Sequence, residues 1–158
     1  MLRSVASKKT IPECIEILCA NIKLDPGFAD FYRYCKSQNI PVVVVSSGME
    51  PLIRALFETL LSQEEANEIP IISNSVKNPE TNEWDIVYRH EESGFGHDKS
   101  RSIKPYREGK YKGATLFYCG DGVSDLSAAR ETDLLFAKDG QGEFTGHWVP
   151  DIVEANAG

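Results

Sequence analysis

The sequence predicts an α/β fold built on a parallel sheet, and two observations carry that expectation. Three short apolar runs show no regular alternation with polar residues, VVVV at 42–45, ATLFYC at 114–119 and LLFA at 134–137, which is the pattern of strands covered on both faces. The first two runs are each followed by a glycine-containing turn and a helical pattern, so strand, turn, helix and strand follow one another as in a βαβ unit. The size agrees: 158 residues, 41% of them hydrophobic, suffice for one domain with a buried core.

The elements follow in chain order. Thr10 and Glu13 form a capping box, Pro12 lies in the first turn, and Ile15, Leu18, Cys19 and Ile22 recur at helical spacing, giving a helix over 10–21. Asp25-Pro26 repeats the start signal, and Phe28, Phe31, Tyr32 and Cys35 make an i, i+3, i+4, i+7 stripe for a second helix. Asn39, Ile40 and Pro41 end it ahead of the strand at 42–45. Ser46-Ser47-Gly48 then turns the chain into a helix with Pro51 in its first turn and Leu52, Ile53, Leu56, Phe57, Leu60 and Leu61 on its buried face. A strand follows at 69–72, and Val76 and residues 84–88 flank the turn-rich Asn78-Pro79-Glu80-Thr81-Asn82, the signature of a hairpin with an exposed tip. Residues 91–99 (EESGFGHDK) read as a loop entering a short helix that ends near Lys104-Pro105. After the strand at 114–119 come the turn Gly120-Asp121-Gly122, a short helix over 125–131 and the strand at 134–137. Beyond Lys138 glycine and proline dominate and no core face is visible.

Composition narrows the partners. Seventeen Lys and Arg against 24 Asp and Glu give a net charge of -7, which repels a phosphate backbone and argues against nucleic acid. No apolar run reaches the ~18–20 residues that span a bilayer, and the N-terminus lacks a secretory apolar core, so a cytoplasmic protein with no membrane partner is expected. Cys14, Cys19, Cys35 and Cys119 form no CxxC pair and are expected as reduced core thiols.

In open α/β sheets ligands gather at the carboxyl ends of strands, so the turns there are weighed first. Ser46-Ser47-Gly48-Met49 sets hydroxyls before a helix N-terminus, whose free N–H groups suit a phosphate oxyanion. Helix capping by Ser46 or Ser47 accounts for the same residues. Gly120-Asp121-Gly122-Val123-Ser124-Asp125 sets two carboxylates four residues apart where a strand ends, hard oxygen ligands of the kind Mg²⁺ takes. Here too a plain Asp-Gly turn with Asp125 as an N-cap is the alternative. Lys99 follows the 91–98 loop and by itself is an ordinary lysine. The histidines, His90, His97 and His147, share no metal-ligand spacing on one helix, and His97 is a candidate substrate contact only by its place beside Lys99.

A strand-end Ser, then a Lys before a short helix, then GDGVSD after another strand, in that chain order, resembles motifs two, three and four of the haloacid dehalogenase (HAD) superfamily. More narrowly, VVVVSSGMEPLI, GHDKSRSIKPY and FYCGDGVSDLSAA are similar to the phosphoserine phosphatase-like branch, and to its fungal members of the 2,3-diketo-5-methylthio-1-phosphopentane phosphatase type. The resemblance covers 12–139. It implies a Rossmann-like, three-layer core with a parallel sheet and a hairpin insertion over 25–158, and a helical-cap remnant over 1–24. It further implies that Ser46 bonds a phosphoryl oxygen with help from N–H groups around Ser47 and Gly48, and that Lys99 is a positive charge beside the phosphate. Asp121 and Asp125 would hold Mg²⁺, and the substrate would be a small phosphorylated metabolite.

The sequence departs from that family at motif one, DxDx(T/V), whose first Asp is the nucleophile. No two aspartates stand two positions apart anywhere in the chain. The expectation is an N-terminally truncated phosphatase, inactive by itself, in which the strands at 42–45 and 114–119 flank a missing strand and lie about 9–10 Å apart. The alternative is a noncatalytic protein that uses the same residues to bind a phosphorylated ligand or a protein partner. A nucleotide-binding or flavodoxin-like domain is disfavoured, because neither GxGxxG nor GxxxxGK[ST] occurs.

Overall fold

The computed structural model describes residues 9–94, 96–120 and 125–137; the expected glycine-rich tail beyond Lys138 lies outside them. The chain divides into two compact units, Met1–His97 and Asp98–Gly158. The first contains α1 (Ile11–Asn21), α2 (Gly27–Ser37), β1 (Val44–Met49), α3 (Glu50–Glu58), α4 (Gln63–Glu68), β2 (Ile71–Lys77) and β3 (Asp85–Val87). The second contains α5 (Lys99–Glu108), β4 (Phe117–Gly120), α6 (Leu126–Ala129) and β5 (Leu134–Ala137). The strands form a β1-β2-β3 sheet in the first unit and a β4-β5 sheet in the second, with β1 parallel to β2 and β4 parallel to β5. No helix among the described residues is long and apolar enough to cross a membrane.

In the first unit α1 starts as its capping box dictates: Glu13 N–H donates to Thr10 Oγ1 at 3.4 Å and Thr10 N–H to Glu13 Oε2 at 2.7 Å. Ile11 and Cys14 are buried with Met49 and Trp84, and Trp84 Nε1 donates to Lys9 O at 2.7 Å, tying the hairpin to the helix start. On α2 the buried arc centres on Ala29, Tyr32 and Cys35. Phe31, expected within that stripe, sits at its edge and is 47% exposed, its ring leaning on Phe28 at 6.3 Å. Ala29 and Tyr32 join Phe57, Leu61, Ala66 and Ile69 in the main core.

The best strand lies two residues later than the sequence pattern indicates. Pro41 has no N–H to give a ladder, and pairing begins when Val44 N–H donates to Pro70 O at 2.9 Å. Val44 and Val45 are half-buried, so the strand is less covered than an unbroken valine run implies. β1 pairs Val44 with Ile71 and Val45 with Ile72, then next matches Met49 to Asn74, a bulge at residues 46–48. The sequence reading missed α4, although Ser62 and Glu65 form a second capping box. Arg54 closes that helix by donating from Nη1 to Ala66 O and, at 3.0 Å, to Ile69 O, satisfying carbonyls that the helix end leaves open. The hairpin is as expected: Ser75, Val76 and Lys77 face Val87, Ile86 and Asp85, and Asn78 turns with φ 54.

In the second unit α5 continues through Pro105 to Glu108 and does not stop before it, while α6 is confined to four residues, within the expected 125–131. The strand expected at 114–119 runs over Phe117–Gly120, and it and the strand at 134–137, both expected to be covered on two faces, expose Phe117, Leu134 and Phe136 at 56%, 51% and 56%. Cys119 is exposed too, against the expectation of a core thiol. Cys14 and Cys35 are buried and Cys19 is half-buried.

Two outcomes follow for stability. Ile69 is 1% exposed, so Ile69→Ala should destabilise the chain by about 2–5 kcal/mol in a denaturant titration. Glu65 receives both N–H arms of Arg33, at 2.8 and 3.0 Å. This pairing and the Ser62 N–H lower its carboxyl from 4.5 to about 2. A carboxylate lowered on folding stabilises the fold above its unfolded pKa and loses that contribution as acid is added. The difference in unfolding midpoint between wild type and Glu65→Gln should therefore be full above pH 4.5 and close as the pH falls toward 2.

Candidate functional site

Residues 46–48 form the first candidate region. Because β1 leaves its ladder there, its carbonyls find partners among side chains: His97 Nδ1 lies 2.6 Å from Ser46 O, and Asn74 Nδ2 donates to Ser47 O at 2.8 Å. Asn74 is itself fixed by Arg89 N–H, which donates to its Oδ1 at 2.9 Å. Ser46 Oγ accepts from Gly48 N–H at 3.1 Å. The capping alternative fails, since Met49 occupies the N-cap of α3 and no side chain bonds to the helix start. Ser47 Oγ is buried and has no hydrogen-bond partner among the described residues. A cavity of about 660 Å³ opens beside this turn, lined by Ser47, Gly48 and Asn74 and by apolar Leu52, Ile53 and Ile86. Gly48 keeps the turn close to α3, for a Cβ there would stand 3.3 Å from both Ile53 Cδ1 and Ser46 Oγ.

His97 is 2% exposed, and the preceding loop explains how it is held. Gly96 takes φ +70, and a Cβ on it would come within 2.2 Å of Tyr88 Cδ1, so only glycine brings the backbone this close to the ring. His90 N–H donates to Gly96 O at 3.1 Å and Gly96 N–H to Ser93 O at 2.9 Å. The His90 ring stands 5.5 Å from that of His97.

The second region lies in the second unit. Lys99 opens α5 behind Asp98, whose Oδ1 caps the helix by accepting from Ser100 N–H at 3.1 Å. Lys99 and Asp125 are each 8% exposed and form an ion pair, Nζ to Oδ1. Tyr118 Oη donates to the same Oδ1 at 2.6 Å. An isolated buried charge would be strongly unfavourable, and pairing plus a second donor offsets that penalty. Asp125 makes no side-chain capping bond to α6, because its carboxylate is turned to Lys99 and Tyr118. Gly120 makes the close packing possible: a Cβ there would stand 2.7 Å from Asp125 Cγ and 2.8 Å from Oδ2.

Of the two expected metal ligands, Asp121 lies outside the described residues. Asp125 offers a hard carboxylate oxygen, Oδ2, beside Gly120, the donor type that a divalent cation takes. Among the described residues no three His, Cys, Asp or Glu side chains cluster as a metal site. The structure thus joins Lys99 to Asp125, and gathers Ser46, Ser47 and Gly48 around His97 and Asn74. Sequence reasoning missed Tyr118 and Asn74. Tyr118 stands two residues before Gly120 on β4, hence on the face where the glycine meets Asp125, and that alternation was the available signal.

The chain matches the haloacid dehalogenase-like hydrolase family over residues 1–130. It is 54% identical over 130 residues to Pdp3-interacting factor 1 of Schizosaccharomyces pombe, covering 82% of this chain and 56% of that protein. To polyol phosphate phosphatase PYP1 of Saccharomyces cerevisiae it is 49% identical over 149 residues, covering 89% of this chain and 60% of the relative. A 2-hydroxy-3-keto-5-methylthiopentenyl-1-phosphate phosphatase of Microcystis aeruginosa is 28% identical over 139 residues, 88% of this chain and 61% of its own length. The chain therefore spans about three fifths of the length of these relatives. With a match over most of its length and two relatives near half identity, the chain belongs to the haloacid dehalogenase-like hydrolase family.

Proposed function

We propose that this chain carries the phosphate-binding and metal-binding residues of a Mg²⁺-dependent phosphomonoester hydrolase acting on a small phosphorylated metabolite. The observation that carries the reading is the buried Lys99–Asp125 ion pair at the end of β4, where a lysine drawn out of water is held by a carboxylate that also accepts from Tyr118 Oη. Phosphoryl transfer needs positioning and charge neutralisation more than covalent help. Lys99, as a compact cation, offsets repulsion between an anionic nucleophile and the phosphate. Ser46, the orphaned Ser47 hydroxyl and the Ser47 N–H offer donors to phosphoryl oxygens. Asp125 and Asp121 would hold Mg²⁺, which supplies Lewis-acid polarisation of a phosphoryl oxygen. The names of two relatives, a polyol phosphate phosphatase and a methylthiopentenyl-phosphate phosphatase, support a small phosphate monoester as substrate.

A second reading is favoured by one observation: no aspartate pair at i, i+2 is present to supply a nucleophile and its acid/base partner. On this reading the chain by itself binds a phosphorylated ligand or protein partner without turnover.

The purified chain with Mg²⁺ should bind inorganic phosphate, measured by ³¹P NMR, yet leave p-nitrophenyl phosphate intact. Turnover that survives repurification and disappears in Asp121→Asn would contradict the second reading. In a form of the protein supplied with an upstream strand ending in Asp-x-Asp-x-Thr, Lys99→Ala should lower kcat about a hundredfold. Ser46→Ala should lower it about tenfold, as the loss of one hydrogen bond implies. A Lys99→Ala rate within twofold of the parent would overturn the assignment.

A further inference from the structure

The bulge in β1 raises a question that the phosphate-binding reading leaves open, namely what gives residues 46–48 their shape. Between the Val45–Ile72 and Met49–Asn74 pairs, β1 advances four residues while β2 advances two. Backbone groups displaced from a ladder must find other partners if they are buried. Two carbonyls in the bulge do so through side chains distant in sequence: Ser46 O through His97 Nδ1 at 2.6 Å, and Ser47 O through Asn74 Nδ2 at 2.8 Å.

The chemistry of the first bond fixes its direction. A carbonyl oxygen only accepts, so Nδ1 carries the proton and His97 is the donor. The consequence reaches the next residue, because in a planar trans peptide the N–H of residue i+1 points opposite to the C=O of residue i. No peptide bond among the described residues is cis. Holding the Ser46 carbonyl on His97 therefore aims the Ser47 N–H away from the imidazole, and holding the Ser47 carbonyl on Asn74 aims the Gly48 N–H away from the amide. That N–H meets Ser46 Oγ at 3.1 Å, so the hydroxyl is set by the same constraint.

Both clamping side chains are themselves fixed. Asn74 and His97 are each 2% exposed. Asn74 is oriented by Arg89 N–H, and His97 follows a glycine at φ +70 packed on Tyr88. We infer that His97 is a positioning residue: its Nδ1–H, with the Asn74 amide, clamps the bulged turn in the shape that receives a phosphate group. The inference rests on the phosphate reading of the turn given above, and it assigns His97 no contact with the reacting atoms.

The test uses the full chain, with inorganic phosphate as the probe and the amide resonances of Ser47 and Gly48 as the readout. His97→Leu fills the buried space but removes the donor. His97→Asn is smaller yet places an N–H near the position of Nδ1. A merely structural role favours the leucine variant, because an apolar side chain suits the buried position better. The clamp favours asparagine: His97→Leu should weaken phosphate about tenfold and move both amide resonances before any phosphate is added. His97→Asn should recover most of the affinity and keep both resonances near their wild-type positions. Should His97→Leu fail to fold, Asn74→Asp keeps the shape, removes the donor to Ser47 O, and should weaken phosphate to a similar degree.

Wild-type affinity in His97→Leu, or equal losses in the leucine and asparagine variants, would overturn the clamp. A wild-type chain whose Ser47 and Gly48 signals ignore phosphate would instead overturn the phosphate reading. The resonances of the ligand-free variants would then still decide whether His97 shapes the turn.

Discussion

A strand cannot keep its ladder and at the same positions turn its backbone toward something else. β1 meets that constraint by leaving the ladder at residues 46–48 and rejoining β2 at Met49, and much of the first unit is arranged around this detour. Asn74 comes from the partner strand and His97 from a loop 51 residues away, each replacing a backbone partner that the detour forfeits. Gly48 lets the turn press against Ile53, Gly96 lets the His97 loop press against Tyr88, and Met49 leads directly into α3. The sheet tolerates the break because the replacements are side chains already buried and oriented.

The second unit solves a related conflict. Asp125 precedes a short helix and belongs to a residue type that caps helices well. It instead gives Oδ1 to Lys99 and Tyr118. Ser46 and Ser47 likewise precede a helix and cap nothing. In both regions, residues whose local preference would tidy a helix end leave that end without a side-chain cap. Departures from local rules concentrate in this way where a protein prepares a site.

This explains what the sequence revealed and what it concealed. The capping box at Thr10 and Glu13 and the hairpin around Asn78 were legible because their partners are close in sequence. The identical box at Ser62 and Glu65 went unnoticed because α4, QEEANE, carries only Ala66 as a buried residue and so shows no apolar stripe. The valine run marked a strand without marking where pairing begins, which depends on Pro70 O, supplied from across the sheet. Family membership was readable from motif order. The parts played by Tyr118, Asn74 and His97 were not, since each is defined by a partner that only folding brings near.

The bond from Trp84 to Lys9 carries a consequence for the order in which the chain assembles. It joins residues 75 positions apart, and the same indole packs with Ile11, Cys14 and Met49. Contacts so distant in sequence form late, because the intervening chain must be ordered first. During synthesis α1 can coil as soon as it emerges and pack on α3, yet that seat lacks its Trp84 wall until the ribosome has delivered the second arm of the β2–β3 hairpin. Until then Met49, the residue that ends the bulged turn, lacks one wall of its own packing. A nascent chain that stalls before Trp84 leaves Ile11, Cys14 and Met49 without the indole that completes their cover.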